Sequence, residues 1–160
     1  MTSEIISRTG ALIIDPQPNM ASLVGAMLRS IGRRDICEAF DAKAARLELA
    51  RRDFELIIID EALPGTDAVE LVRSLRRDRD SRNRLTPVIM MAAAPGAARI
   101  AAARDAGVTE FLRKPFAANH LKSRLDTIAA SPRPFIEAAA YAGPDRRRRT
   151  VVIDADRRGG

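Results

Sequence analysis

The chain has 160 residues, of which 46% are hydrophobic and only 4% aromatic, so we expect one domain with an aliphatic core. Its one cysteine, Cys37, excludes an internal disulfide framework. No apolar run approaches the roughly 18 residues of a membrane span and the first ten residues lack a signal-peptide core, so we expect a cytoplasmic protein. Residues 132–160 carry seven basic and four acidic side chains, half of the net charge of +6, which favours an anionic partner.

Short apolar runs alternate with helical periodicity from residue 10 to residue 130. The predicted buried strands are residues 11–14, 56–59, 88–91 and 111–112, with a weaker strand around 36–40. The predicted helices cover residues 20–31, 42–51, 68–75, 97–106 and 121–128, and the arginines of the third should lie on its polar face. Five successive βα units predict an α/β, flavodoxin-like fold with a five-stranded parallel sheet.

The regular pattern stops at residues 131–134, where Pro132 and Pro134 disfavour a continuing helix. We therefore divide the chain into a domain of residues 10–130 and an arginine-rich, ligand-binding tail of residues 131–160. The tail is polar and poorly periodic, and we expect it to be flexible without a partner.

Three charged residues follow predicted strands. Asp15, Asp60 and Lys114 each come directly after an apolar run. In a parallel α/β sheet the carboxyl ends of the strands meet at one edge, so we expect these side chains to converge. Two carboxylates with an ammonium group suit a cation such as Mg²⁺ together with a phosphoryl group.

These residues also resemble the CheY-like receiver family over residues 10–130. The run Leu-Ile-Ile-Asp15 resembles its first-strand acid motif, Asp60 with Pro64 resembles its phosphoacceptor loop, and Lys114-Pro115-Phe116 resembles its Lys-Pro-Phe signature. The resemblance implies that Asp60 is the phosphoacceptor and Lys114 its partner, that the Lys–Pro bond is cis, and that Asp15 and Asp60 are the Mg²⁺ ligands.

Two positions depart from the family pattern. Pro16 stands where the family has a second acid that ligates Mg²⁺, and Ala92 stands where it has a threonine or serine. Proline supplies no side-chain oxygen and alanine no hydroxyl for a phosphoryl group. We therefore hypothesise that Asp60 is poorly phosphorylated and the switch vestigial, the alternative being that Asp15 with water still holds Mg²⁺.

The tail combines an aromatic residue with an arginine run. Tyr141 is followed by the turn signal Gly143-Pro144-Asp145 and then by four arginines, Arg146, Arg147, Arg148 and Arg149. Guanidinium groups bind phosphate through paired hydrogen bonds and fit the O6/N7 edge of guanine, and aromatic rings stack on bases. Taken alone, these residues indicate an anion-binding segment, and a solvated basic tail remains the simplest alternative.

The receiver and the tail together resemble the Cle proteins, CheY-like effectors of cyclic di-GMP. The likeness lies in Pro134-Phe135-Ile136-Glu137 and in Tyr141-x-Gly143-Pro144-Asp145-Arg146-Arg147. It implies that the tail binds cyclic di-GMP and that the receiver engages the flagellar motor switch, or another signalling protein, to tune motility and attachment. The ligand contacts would come from Tyr141, Asp145, Arg146, Arg147, Arg148 and Arg149, with Arg157 and Arg158 as a second basic contact.

Two other functions remain open from the sequence. One is a phosphorylated single-domain response regulator of a two-component system, and the other is a module that binds nucleic acid through the tail. We expect no enzyme, because the only histidine, His120, has no Cys, His or Glu cluster near it in sequence.

Overall fold

A computed structural model describes residues 10–130, 135–138 and 141–145. Within these ranges the five βα units are, in chain order, β1 Gly10–Ile14, α1 Pro18–Ser30, β2 Ile36–Ala39, α2 Ala42–Arg51, β3 Phe54–Asp60, α3 Ala68–Arg77, β4 Val88–Ala92, α4 Ala97–Ala106, β5 Glu110–Arg113 and α5 Ala118–Ala130. The five strands form a parallel sheet in the order β2-β1-β3-β4-β5. The predicted flavodoxin-like fold is therefore confirmed.

Local signals fix where several helices begin and end. Asp41 caps α2 by accepting a hydrogen bond from the Ala44 amide at 2.8 Å, and Asp67 caps α3 by accepting one from the Val69 amide at 3.0 Å. Helix α4 ends at Gly107, whose φ of 112° lies in the left-handed region that glycine tolerates best.

Both faces of the sheet are covered by helices. Helices α1 and α5 pack on one face through Leu28, Leu121 and neighbouring apolar residues. Helices α2, α3 and α4 pack on the other face. Every residue of β1 and β4 is buried, which explains why these strands are continuous apolar runs. Among the described residues, no helix is both long and apolar enough to cross a bilayer.

Arg76 of α3 corrects one prediction. The sequence places the arginines of this helix on its polar face, yet the Arg76 side chain is only 1% exposed. Its guanidinium donates hydrogen bonds to the carbonyls of Gly107, Thr86 and Arg84 at 3.0, 2.8 and 2.7 Å. These backbone acceptors offset the cost of removing the charge from water.

Part of the segment after residue 131 is regular. Strands β6 Phe135–Ala138 and β7 Tyr141–Pro144 pair in antiparallel fashion as a hairpin. Strand β7 contacts α3 and α4, and its residues 142–144 are buried. The predicted flexible tail therefore includes a hairpin that packs on the domain, which the sequence analysis missed, and residues 146–160 lie outside the described residues.

Candidate functional site

The carboxyl ends of three strands bring the predicted crevice residues together. Asp15 follows β1, Asp60 ends β3 and Lys114 follows β5. The Lys114 Nζ lies 2.5 Å from Asp60 Oδ1 and 3.5 Å from Asp15 Oδ2. The Lys114–Pro115 peptide bond is cis, as the family resemblance implies. The resulting crevice holds two carboxylates around one ammonium group.

The two carboxylates are almost fully buried. Asp15 is 1% exposed and Asp60 6% exposed. Burial raises the pKa of Asp15, although the backbone amide of Gln17 and the ammonium of Lys114 act in the opposite direction. The Gln17 amide donates to Asp15 Oδ1 at 2.9 Å, and the Ala62 amide donates to Asp60 Oδ2 at 3.0 Å. Backbone and lysine donors therefore already stabilise negative charge at this crevice.

A Mg²⁺ ion fits this crevice only as a two-carboxylate site. Mg²⁺ can be held by one or two carboxylates with several waters, and Asp15 and Asp60 would be those ligands. Pro16 withholds a third carboxylate, and no group of three His, Cys, Asp or Glu side chains suited to a metal occurs within the described residues. A bound Mg²⁺ would neutralise charge that develops during phosphoryl transfer.

Ala92 lies at the end of β4 beside the crevice, and Phe111 lies on β5 opposite Met90. Ala92 ends β4 and is 2% exposed, and its carbonyl accepts a hydrogen bond from the Lys114 amide at 2.8 Å. It presents a methyl group where receivers carry a hydroxyl. Phe111, on β5, is half-buried, and its carbonyl accepts a hydrogen bond from Arg124 Nε at 2.9 Å.

An ion-pair cluster that sequence reasoning missed lies next to the loop that follows Asp60. Arg99 of α4 places Nε 3.0 Å from Glu61 Oε2 and Nη2 3.0 Å from Asp67 Oδ1. The hydrogen bond from Arg99 lowers the pKa of Asp67 and raises that of Arg99 itself. We call these three residues the Arg99 cluster; it connects α4 to the loop that follows Asp60.

The hairpin lies at the opposite edge of the sheet. It meets the domain near the end of α3 and near Gly107, just before β5 begins, so it is at the amino-terminal edge of the strands. Tyr141 begins β7 and Asp145, which is half-buried, directly follows it. The remaining predicted ligand contacts, Arg146, Arg147, Arg148, Arg149, Arg157 and Arg158, lie outside the described residues.

The doubly wound sheet and the Asp15–Asp60–Lys114 crevice define a receiver-type signalling domain. The chain belongs to the response regulator receiver domain family, which matches residues 11–126. The hairpin and the arginine run lie beyond that match.

Curated relatives and solved structures agree with this assignment. The chain is 33% identical over 117 residues to the chemotaxis protein CheY-3 of Vibrio cholerae, covering 73% of this chain and 88% of that protein. It is 32% identical over 117 residues to CheY of Pseudomonas aeruginosa, covering 73% of this chain and 93% of that protein. Its fold matches crystallised CheY4 of Vibrio cholerae with a TM-score of 0.69 at 22% identity, covering 76% and 98% of the two chains. It also matches the receiver domain of a Francisella response regulator with a TM-score of 0.66 at 26% identity. This match covers 76% of this chain and 96% of the Francisella chain.

Proposed function

We propose that this receiver protein is a non-enzymatic, cytoplasmic effector of cyclic di-GMP. In this proposal the segment after residue 131 binds the dinucleotide. The receiver domain then engages a signalling protein, such as the flagellar motor switch, to tune motility and attachment. The observation that carries the proposal is the hairpin, whose residues 142–144 are buried, because it connects the arginine run to the receiver domain.

The crevice supports an input other than phosphorylation. Pro16 removes one metal ligand, and Ala92 removes the switch hydroxyl. Each of these features weakens the response of the domain to a phosphoryl group. A small molecule that binds elsewhere on the chain avoids this limitation.

The residues around the arginine run suit a guanine dinucleotide. Neighbouring side chains of an extended chain alternate in direction, so Arg146 and Arg148 would point to one side and Arg147 and Arg149 to the other. Two pairs of guanidinium groups match a ligand with two phosphates and two guanines. The resemblance to the Cle proteins rests on these same residues.

Coupling to the receiver would pass through the hairpin. Strand β7 contacts both α3 and α4, so a ligand bound by the arginine run would act on a segment that directly follows this strand. Helix α4 flanks β5, and the surface of α4, β5 and α5 is the usual partner-binding surface of receivers by analogy.

Calorimetric titration of the full chain with cyclic di-GMP, the linear dinucleotide pGpG and GTP tests the proposal. We expect clear binding of the cyclic dinucleotide and weaker binding of the other two. Equal binding of all three, or none, would refute it. Steeply salt-dependent binding of oligonucleotides without nucleotide selectivity would instead favour the nucleic-acid alternative.

A phosphorylated response regulator is the second candidate, because Asp60 and Lys114 are both present and in contact. Incubation with acetyl phosphate and Mg²⁺, followed by phosphate-affinity electrophoresis, distinguishes the two. We expect little modified protein. A stable, Mg²⁺-dependent product that is absent in Asp60→Ala would establish the second candidate.

A further inference from the structure

A groove between α2 and α3 is open at the surface of the domain. Its volume is about 440 Å³, and the buried leucines that line it are Leu49 of α2 and Leu71 and Leu75 of α3. Ala50 and Ser74 also line it, and their small side chains leave space between the two helices. We infer that this groove, which we call the α2–α3 groove, and the exposed surface of α2 beside it form an interface between two copies of the chain.

A large apolar side chain lies beside the groove. Leu47 of α2 is 61% exposed. It precedes Ala50 by three residues, so the two are neighbours on the helix surface. The same surface therefore carries an apolar projection and a groove with buried leucines. Such a surface can pair with a copy of itself, because Leu47 of each copy can enter the groove of the other and bury apolar area on both sides.

The two ends of the groove carry opposite charges. Helices α2 and α3 each follow one parallel strand and precede the next, so both run towards the amino-terminal edge of the sheet. Arg46 lines the groove from the middle of α2, and Asp78 and Asp80 line it beyond the end of α3. All three residues are exposed. The groove is therefore acidic at the end nearest the amino-terminal edge and basic further along.

These charges are available to a partner. Within the part of the chain that the structure describes, the side chains of Arg46 and Asp80 form no hydrogen bond and no ion pair. Asp78 uses only Oδ1, which accepts a hydrogen bond from the Asp80 backbone amide at 3.0 Å. In a two-fold pair whose grooves are antiparallel, Arg46 of each copy would meet the acidic end of the other groove. A parallel pair would bring like charges together, so the charges favour the antiparallel one.

A second copy suits this groove better than a partner with charges of one sign. A strongly acidic segment would be attracted by Arg46 and repelled by Asp78 and Asp80, and a strongly basic segment would experience the reverse. A second copy supplies both signs in the required order. The surface offered by two short helices is small, so we expect weak association, with a dissociation constant in the micromolar range or above.

Sedimentation equilibrium of the full chain tests the inference. At about 0.15 M salt, which screens exposed charges beyond roughly 8 Å, the average mass should rise from 17.5 kDa towards twice that value as the concentration increases. Arg46→Glu and Asp80→Arg should each weaken association roughly tenfold or more, because each places like charges across the interface twice. Leu47→Ser should weaken it by removing the apolar projection. Arg29→Glu makes the same charge change as Arg46→Glu on α1, at the other face of the sheet, and should associate like the wild type.

An equimolar mixture of Arg46→Glu and Asp80→Arg tests the symmetry of the interface. In a mixed pair the introduced glutamate faces the introduced arginine, and the unchanged Arg46 of one copy faces the unchanged Asp80 of the other, so association should return on mixing. Thermal unfolding checks that all variants are folded. A wild type that stays monomeric would overturn the inference and leave the groove to a different protein. Undiminished association of Arg46→Glu, or a mixture that stays monomeric, would also overturn it, and neither result bears on the binding of cyclic di-GMP.

Discussion

At the scale of single residues, Asp15 is the crevice residue whose burial disfavours its charged form. Its carboxylate is buried and its pKa is raised mainly by that burial. For an acid whose pKa is higher in the folded chain than in the unfolded chain, stability falls as the pH rises through that pKa. Burial of this carboxyl group therefore opposes folding more at neutral pH than in acid.

Replacement of this group should stabilise the protein. We expect Asp15→Asn, which retains an acceptor for the Gln17 amide, to raise the free energy of unfolding by about 1–2 kcal/mol at neutral pH. The gain should shrink in acid, where the wild-type carboxyl is protonated. Urea unfolding measured across pH checks this, with the exposed Asp126→Asn as the control. A less stable Asp15→Asn protein at every pH would show that the Lys114 ion pair outweighs burial.

At the scale of elements, two contacts join segments that are distant in sequence. The Arg99 cluster connects α4 to the loop that follows Asp60, and the hairpin connects residues 135–145 to α3 and α4. Both involve α4, whose own apolar periodicity is weak because it consists largely of alanine. Contacts at its two ends therefore help to position this helix.

The Arg99 cluster should stabilise the protein in a pH-dependent way. Arg99 lowers the pKa of Asp67 in the folded protein below its ordinary value of 3.8. The stability that this ion pair contributes is therefore present above pH 3.8 and is lost as the pH falls through the pKa of Asp67 in the folded protein. Both side chains are partly exposed, so we expect Arg99→Met to cost less than about 1 kcal/mol at pH 7. Chemical unfolding at pH 7 and at about pH 2.5 measures the difference. If Arg99→Met lowers the free energy of unfolding as much in acid as at pH 7, Arg99 acts through packing and not through charge.

Gly107 should be the most sensitive glycine near the hairpin. A Cβ at this position would lie 2.6 Å from Arg76 Cγ and 3.1 Å from the Ala142 carbonyl oxygen. Gly107→Ala combines this clash with left-handed backbone strain of about 1–3 kcal/mol. Gly32→Ala is the matched control, since Gly32 has a φ of 98° and nothing within 4 Å of an added Cβ.

We expect Gly107→Ala to lower the melting temperature by several degrees more than Gly32→Ala does. It should also increase hydrogen exchange at the backbone amides of Ala142 and Gly143, because the hairpin packs against this glycine. Equal melting temperatures and unchanged exchange would mean that the hairpin does not depend on this contact.

At the scale of the whole molecule, the sequence predicted the domain far better than the segment after it. The central strands were recognisable because both faces of the sheet are buried, so they are continuous apolar runs. Strand β2 was weaker because it lies at the sheet edge and is partly exposed. The meeting of Asp15, Asp60 and Lys114 followed from the topology alone.

The features that were missed depend on contacts between distant residues. The Arg99 cluster joins residues separated by 32 and 38 positions. Arg76 has the sequence signature of a surface arginine, and its burial is made tolerable by three carbonyls on two other segments. Strand β6 has only four residues, and the four residues of β7 include glycine and proline, so neither gives a clear alternating pattern and the hairpin was not predicted.

The central proposal is that a guanine dinucleotide acts on this receiver through the arginines that follow the hairpin, independently of Asp60. The most direct measurement is the dissociation constant of cyclic di-GMP for three full-length proteins: the wild type, Asp60→Ala, and a variant with all of residues 146–149 changed to alanine. We expect equal affinity for the first two and a loss of roughly a hundredfold or more for the third. Unchanged affinity in the arginine variant would contradict it.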